Sequence, residues 1–199
     1  MTTITKLISQ SDIKEVIRVH NSAFEGFFLT ELGSDFLLQY YKSLASSSDG
    51  VLIGAYQNSR LIGFCAACTK SAGFNSKLIK DNIIAFCIIG IKLLLTRPGS
   101  LYRLFKNLSK TGDTDDDGKY AELMSIAVDK GVQNSGAGKL LVTALESYLK
   151  AKNIDMLSLT TDKHNNFNTL QFYKKRGFEE MYEFITYPNR EMYRLIKKL

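Results

Sequence analysis

The chain has 199 residues, of which 45% are hydrophobic and 23% are charged. This length and composition predict one globular domain with a sizeable core, and they exclude disordered and fibrous proteins. The net charge of +6 is compatible with a nucleic acid, an acidic surface or an anionic ligand as partner. Because lysine and arginine occur along the whole chain, we interpret the charge as a solvated basic surface and expect no nucleic-acid partner.

Three cysteines are present, Cys65, Cys68 and Cys87. Residues 1–5 do not resemble a secretory leader, so we expect the protein in the reducing cytoplasm. Cys65 and Cys68 have Cys-x-x-Cys spacing, but they lie in an apolar run over residues 61–69 that predicts a strand. Side chains three apart in a strand point to opposite faces, so we expect neither a disulfide nor a metal site there.

The N-terminal part of the chain predicts the element order β, α, α, β, β. A strand over residues 3–8 precedes a helix, a loop over residues 25–33, a second helix that begins at Ser34, and a β-hairpin over residues 51–69. His20 lies on the apolar side of the first helix, and we interpret it as buried and hydrogen-bonded rather than catalytic.

Residues 71–120 form a long insertion before the next strand. The run over residues 83–95 is strongly apolar, but it is shorter than the roughly 20 residues of a spanning helix, and Lys92 interrupts it. A basic amphipathic helix follows from Ser100. The apolar sides of this helical hairpin need a cover, and we expect the sheet or the second subunit of a homodimer, ahead of a membrane surface.

An acidic run over residues 113–118 ends the insertion. It places acidic residues at positions one, three and five of an EF-hand loop, and glycine at position six. Position twelve is Met124, however, which falls in an apolar strand and cannot supply the carboxylate that calcium needs. We therefore expect a solvated acidic loop and no metal site.

Residues 121–142 predict an apolar strand, a glycine-rich loop and an amphipathic helix. Gly136 and Gly138 allow close approach to the backbone at the helix start, and Lys139 adds a positive charge. A helix N-terminus has unpaired N–H groups and a partial positive charge, so this arrangement predicts a phosphate-binding loop.

Two common phosphate loops fit these residues poorly. A Walker loop needs a glycine and a metal-binding hydroxyl where this chain has Gln133 and Leu140. A dinucleotide fingerprint needs a third glycine where the chain has Leu141.

The pattern Gln-x-x-Gly-x-Gly at residues 133–138 resembles the pyrophosphate loop of the GNAT superfamily of acetyl-CoA-dependent N-acetyltransferases. A second segment, residues 166–178, is similar to another signature of that superfamily. It begins with Asn166, contains Phe172-Tyr173, ends in Gly-Phe, and has Thr169 where alanine is usual. Together the two motifs cover roughly the C-terminal third of the chain.

This resemblance implies an α/β GNAT fold over residues 1–199, with a mixed, mostly antiparallel sheet, splayed central strands and flanking helices. It also implies acetyl-CoA as the acetyl donor, with pantetheine along the fourth strand and pyrophosphate on the loop. The residues that it assigns to acetyl-CoA are Ile126, Ala127, Val128, Gln133, Asn134, Ser135, Gly136, Ala137, Gly138, Lys139, Asn166, Phe172 and Tyr173.

By the same resemblance, Tyr173 protonates the departing thiolate, which a phenol can do because it keeps its proton at neutral pH. Glu122, at the start of the fourth strand, is the candidate base for the acceptor ammonium; the alternative is a solvated carboxylate without a catalytic role. Phe27 and Phe28, between the first two helices, are candidates for the wall of the acceptor site; the alternative is a loop packed on the core.

We therefore expect acetyl transfer to a primary amine of a small molecule or peptide, by direct attack in a ternary complex and without a metal. The competing hypothesis is a non-catalytic acyl-CoA-binding or protein-interaction module that retains the phosphate loop.

Overall fold

The computed structural model describes residues 2–108, 116–133 and 135–199. The strands are β1 (Ile4–Leu7), β2 (Gly50–Gln57), β3 (Arg60–Cys68), β4 (Ala121–Val128), β5 (Met156–Asp162), β6 (Glu179–Thr186) and β7 (Arg190–Lys198). The helices are α1 (Ile13–Ala23), α2 (Phe28–Glu31), α3 (Ser34–Ser46), α4 (Phe74–Asp81), α5 (Ile83–Thr96), α6 (Pro98–Leu108), α7 (Ala137–Ala151) and α8 (Phe167–Lys174).

These seven strands form one sheet in the order β1-β2-β3-β4-β5-β7-β6. Neighbouring strands are antiparallel except β4 and β5, which are parallel. A parallel pair needs a crossover connection, and α7 provides it between β4 and β5. The motif with the phosphate loop therefore lies at the centre of the sheet.

Helices cover both faces of the sheet because β2 and β3 are apolar on both sides. One face packs against α7, whose Leu141 and Leu145 are fully buried. The opposite face packs against α1 and α3, where Val16, Leu37 and Tyr41 are fully buried. The two cores fix the sheet between two layers of helices.

The cysteines lie as their spacing predicts. Cys65 faces the core on the α7 side, whereas Cys68 faces the core on the α1 side. Both thiols are free, and burial raises the pKa of each to about 12. Among the described residues there is no cluster of three or more side chains suited to a metal ion.

The insertion contains one helix more than the sequence predicts. Helices α5 and α6 correspond to the predicted hairpin, but α4 precedes them, and its buried residues are Phe74 and Leu78. Two apolar residues at a spacing of four are too short a pattern to reveal a helix. Both ends of the insertion meet, because the Ser71 amide donates to the Tyr120 carbonyl at 2.8 Å and the Ala72 amide donates to the Gly118 carbonyl at 3.1 Å.

Helix α5 packs with one side against α2 and α3 and leaves its other side exposed. Leu93 is buried in this contact, and Phe86 and Ile89 flank it against Leu32 and Phe36. Helix α3 therefore lies between α5 and β2, while Leu101 and Leu104 of α6 belong to the same cluster as Phe28. Within the described ranges, we find no helix with both the length and the apolar character needed to cross a bilayer.

Part of the acidic loop is described. Asp116 accepts hydrogen bonds from the hydroxyls of Tyr120 and Tyr182, each at 2.5 Å. Asp113 and Asp115 lie outside the described residues. The described end of the loop is thus tied to β6.

Candidate active site

A cavity opens where the two central strands separate. β4 pairs with β5 only from Ala121 to Leu123, opposite Leu157–Leu159. Beyond that point β4 continues along β3, and β5 continues along β7 as far as Asp162. Met124 forms a bulge in β4 at the point of separation. The resulting cavity has a volume of about 410 Å³.

Within the described ranges, the edge of β4 that faces β5 has no strand partner after Leu123. The residues that follow include Ile126, Ala127 and Val128, which the sequence assigns to pantetheine. The Ile126 side chain lines the cavity, whereas Ala127 is buried towards α1 and Val128 packs towards α7. Backbone groups on this edge are therefore available to an extended ligand with amide groups.

The phosphate loop ends at the N-terminus of α7. Gly136 has φ of 83°, a left-handed conformation that favours glycine, and a side chain at this position would meet no atom within 4 Å. The N-cap residue of this 15-residue helix is Gly136, which has no side chain to bind the first N–H groups. An anion at this end would thus meet open backbone donors and the positive end of the helix dipole.

The other loop residues lie close to this helix end. Gln133 and Ser135 are exposed before it, Ala137 is buried as the first residue of α7, and Lys139 is exposed in the first turn. Asn134, which the sequence also assigns to acetyl-CoA, lies outside the described residues. The described loop residues fit an anionic group such as a pyrophosphate, since they combine backbone donors with a lysine.

Gly138 joins the loop to the two neighbouring elements. A side chain on Gly138 would lie 3.9 Å from Val128 Cγ2 and 4.0 Å from Phe172 Cζ. Phe172 is half-buried, packs on the α7-side core and does not line the cavity. The loop, β4 and α8 thus meet at one point.

Tyr173 lines the cavity from α8 and is 5% exposed. Its ring lies 5.2 Å from that of Phe172 and 5.4 Å from that of Phe178, both in edge-to-face contact. Burial raises the pKa of the Tyr173 phenol, which therefore stays protonated at neutral pH.

Asn166 lies at the start of α8 and also lines the cavity. It is the N-cap residue of α8, but its side chain makes no cap hydrogen bond to the helix. Its amide donates instead to Thr161 Oγ1 at 2.6 Å and to the Asp162 carbonyl at 2.9 Å. Asn166 therefore fixes α8 to the end of β5.

Glu122 lies away from the cavity. One of its carboxylate oxygens accepts a hydrogen bond from Arg194 at 2.7 Å, and the other accepts one from the Ser71 hydroxyl. The side chains of Glu122 and Arg194 are only 18% and 15% exposed. This arrangement connects the start of the insertion to β7, and it does not bring Glu122 together with Tyr173.

Aromatic residues from the N-terminal part form the opposite wall of the cavity. Phe27 and Phe28, the candidates for the wall of the acceptor site, both line it. Each carries a cation over its ring, with the guanidinium carbon of Arg190 at 5.6 Å from Phe27 and that of Arg103 at 5.2 Å from Phe28. Arg103 comes from α6, so the insertion reaches this wall.

The sequence does not reveal the polar pair at the same wall. Asp162, the last residue of β5, holds Arg190 by two hydrogen bonds, to Nε and, at 2.5 Å, to an NH2 nitrogen. Both residues line the cavity. Asp162 follows an apolar strand and could have been noticed for that reason, whereas Arg190 has no local signal.

His20 is buried and hydrogen-bonded, which confirms the prediction. Its Nδ1 lies 2.7 Å from the Tyr41 hydroxyl, and the residue is 2% exposed at the inner end of the cavity. Burial lowers the pKa of His20 to about 4. The imidazole is therefore neutral at pH 7, and it is too weak a base to keep a proton that it takes from an acceptor.

A family model described as the acetyltransferase (GNAT) family matches residues 13–178. The chain therefore belongs to the GNAT family, and the predicted α/β fold class is confirmed. A search of curated proteins gave no match.

Solved structures with the same fold include several acetyltransferases. The PaiA N-acetyltransferase from Thermoplasma acidophilum, in complex with coenzyme A, is 16% identical with a TM-score of 0.59, over 100% of both chains. The ribosomal-protein-S18-alanine N-acetyltransferase from Escherichia coli is 14% identical with a TM-score of 0.64, over 99% of this chain and 94% of that one. An IAA acetyltransferase from Bacillus cereus is 17% identical with a TM-score of 0.56, over 100% of both chains. At these identities the likeness establishes the fold.

Proposed function

We propose that the protein transfers an acetyl group from acetyl-CoA to a primary amine of a small molecule or peptide. The observation that carries this proposal is the cavity between β4 and β5, which has an unpaired strand edge on one side and Tyr173 on the other. A structural neighbour with bound coenzyme A supports the choice of donor. The family supports acetyl transfer as the reaction.

The donor would extend from the phosphate loop into the cavity. The open N-terminus of α7 with Gly136 suits the pyrophosphate, and the free edge of β4 suits the amide groups of pantetheine. This route brings the thioester between Ile126 and Tyr173, which both line the cavity. A backbone N–H of β4 directed at the thioester oxygen would stabilise the negative charge that develops there.

In the reaction, the amine nitrogen attacks the carbonyl carbon of the thioester, and the carbon–sulfur bond breaks. The sulfur leaves as a thiolate and takes the proton of the Tyr173 hydroxyl. The phenolate regains a proton from solvent, and the nitrogen releases one proton to solvent as the amide forms. Direct attack needs no nucleophile from the protein; the described residues that line the cavity include Ser125 but no cysteine.

The acceptor has to lose a proton before it attacks. Asp162 is the carboxylate among the lining residues, and Arg190 occupies both of its oxygens. Burial lowers the pKa of His20 to about 4, which makes its imidazole a weak base, and Glu122 is bound to Arg194 and Ser71. We therefore propose that solvent deprotonates the amine and that turnover rises with pH up to the pKa of the acceptor.

A thiol-release assay tests the proposed function. We expect acetyl-CoA with a suitable member of a panel of small amines and peptides to release free thiol, with turnover that follows the neutral fraction of the amine. Acetyl-CoA alone should raise the melting temperature, as a ligand that binds the folded state does. Tight binding of acetyl-CoA without turnover on any amine would contradict catalysis and favour a binding module.

A further inference from the structure

Helix α5 presents a broad apolar surface to solvent. Ile84, Ile88, Ile91 and Leu95 follow each other at spacings of four, three and four, and they are 76%, 64%, 62% and 79% exposed. Such spacings place side chains on one side of a helix. Ile83 and Leu94, at 51% and 60% exposed, widen the same surface. We call these six side chains the α5 face.

The rest of α5 holds this face outward. Phe86, Ile89 and Leu93 pack on α2 and α3, so the helix is attached to the domain by its opposite side. A helix that is apolar all round is usually buried all round. Monomeric proteins in water rarely expose contiguous aliphatic surfaces of this kind, so the α5 face indicates a partner.

Positive charge accompanies the α5 face. Helices α4 to α6, residues 74–108, contain six basic residues and one acidic residue, a net charge of +5, whereas the whole chain has a net charge of +6. Four aspartates in the acidic loop offset part of this charge, so residues 71–120 as a whole have a net charge of +3. The side chains of Lys80 on α4 and Lys106 on α6 are exposed on either side of α5 in the chain.

We propose that the α5 face binds an anionic lipid surface, with α5 lying in the plane of the interface. The 14 residues of α5 span about 21 Å, which is shorter than the roughly 30 Å of a bilayer core. An interfacial helix has an apolar face in the lipid and a polar side in water. The side of α5 opposite the α5 face is instead covered by α2 and α3. Lysine and arginine beside the apolar face attract anionic headgroups.

The charge distribution favours a lipid surface over a second copy of the chain. Three of the six basic residues pair with acidic residues outside the segment, Lys77 with Asp49, Lys92 with Asp35 and Arg103 with Glu31. The rest of the positive charge would meet itself in a twofold dimer, because the same patch then faces its own copy. The six side chains are all isoleucine or leucine, whereas the strongest contacts in protein interfaces come from tryptophan, tyrosine and arginine. Lipid chains dissolve aliphatic side chains without directional contacts.

Vesicle flotation of the full chain, without substrate, tests this proposal. We expect binding to vesicles of phosphatidylcholine mixed with phosphatidylglycerol to be at least about tenfold stronger than binding to phosphatidylcholine alone, and to weaken as salt is raised. Equal binding to the two vesicle types would contradict the role of the basic residues. The absence of binding to both vesicle types would overturn the proposal. If the protein then forms dimers that depend on its concentration, the α5 face binds a second copy of the chain.

Two double variants and a control make the test specific. Ile84→Gln/Ile88→Gln should lower vesicle binding about tenfold, because it removes two exposed aliphatic side chains without touching the core. Lys80→Gln/Lys106→Gln should weaken binding to the anionic vesicles only. The control, Ile4→Gln/Leu7→Gln, changes two aliphatic side chains that are each 57% exposed on β1, and it should bind as the wild type does. Equal loss of binding in the control would overturn the assignment to α5.

Discussion

Helices α7 and α5 are both rich in leucine and other apolar residues, but they bury them differently. On α7, Leu141, Leu145 and Leu149 are fully buried against the sheet, and charged residues occupy the outer side. On α5, most aliphatic side chains are more than half exposed. The apolar residues of α7 are therefore explained by packing against the sheet. On α5 there are more apolar residues than the domain buries.

The largest expected effect is on the acetyl transfer that depends on the α7 region. We expect Tyr173→Phe to lower kcat by about a hundredfold or more, because it removes the proton donor for the thiolate. Affinity for coenzyme A should change little, since the ring is kept. Thiol release and calorimetric binding of coenzyme A measure the two effects.

Tyr148→Phe on α7 is the matched control for this variant, and it should retain normal kcat. A Tyr173→Phe enzyme with normal kcat and weak coenzyme A binding would show that Tyr173 binds the donor and does not protonate the departing thiolate.

The second test concerns the attachment of the insertion. Glu122→Gln removes the charge that pairs with buried Arg194, so we expect the free energy of unfolding to fall by about 3 kcal/mol. Turnover of a soluble amine should change less than about threefold, because Glu122 lies outside the cavity. Urea denaturation and thiol release measure these quantities.

Glu183→Gln serves as the control, since it breaks a more exposed ion pair with Lys163 and should cost less than about 1 kcal/mol. If Glu122 is the catalytic base, as the sequence suggests, turnover falls by orders of magnitude while stability is retained.

The third test measures how the stability of the protein depends on pH, because His20 is buried at the inner end of the cavity. Burial lowers the pKa of folded His20 to about 4, whereas the unfolded chain has an ordinary value of about 6.5. The unfolded state therefore binds the proton more readily between these values, and stability is lost as the pH falls from 6.5 towards 4. We expect a loss of about 2 kcal/mol between pH 7 and pH 5 from this residue.

His20→Gln should flatten the pH dependence of the unfolding free energy, measured by urea denaturation at both values. His164→Gln, at an exposed histidine, should leave the slope as in the wild type. An unchanged slope in His20→Gln would show that His20 is not the titrating group.

The smallest expected effect is in the phosphate loop. Gly136→Ala places a side chain at a φ of 83° in open space, so the cost is backbone strain of about 1 kcal/mol without a clash. We expect coenzyme A to bind about fivefold more weakly if this strain shifts the loop away from its binding conformation. Calorimetry measures this change.

Gly131→Ala, in the preceding turn, is the control, because Gly131 has no positive φ and its added side chain meets only Asp129 Oδ1 at 3.9 Å. Equal weakening by both variants would contradict a specific role for the Gly136 conformation.

The sequence predicts elements whose signals are local. The strand at Ala121–Val128 has the bounds that its apolar run indicates, and Gly136 marks the start of α7. The burial of His20 follows from its place on an apolar helix side. These features depend on neighbours within a few residues.

Contacts between distant residues could not be predicted in the same way. Arg194 lies 72 residues from Glu122, and Arg190 lies 28 residues from Asp162. The residues next to Glu122 in the sequence do not reveal its ion pair with Arg194. The sequence therefore allows Glu122 to be interpreted as a catalytic base. The exposed side of α5 was equally hidden, because periodicity does not distinguish an apolar side that packs from one that stays bare.

The hydrogen bonds between the two ends of the insertion also bear on how the protein can be engineered. Because the amides of Ser71 and Ala72 bind the carbonyls of Tyr120 and Gly118, the chain leaves the sheet and returns to it at nearly the same place. The register of β3 and β4 is therefore held next to the sheet, where the insertion begins and ends. The helices between these two points add Phe74, Leu78 and Leu93 to the cores, so their apolar residues are constrained even though the loop length is not.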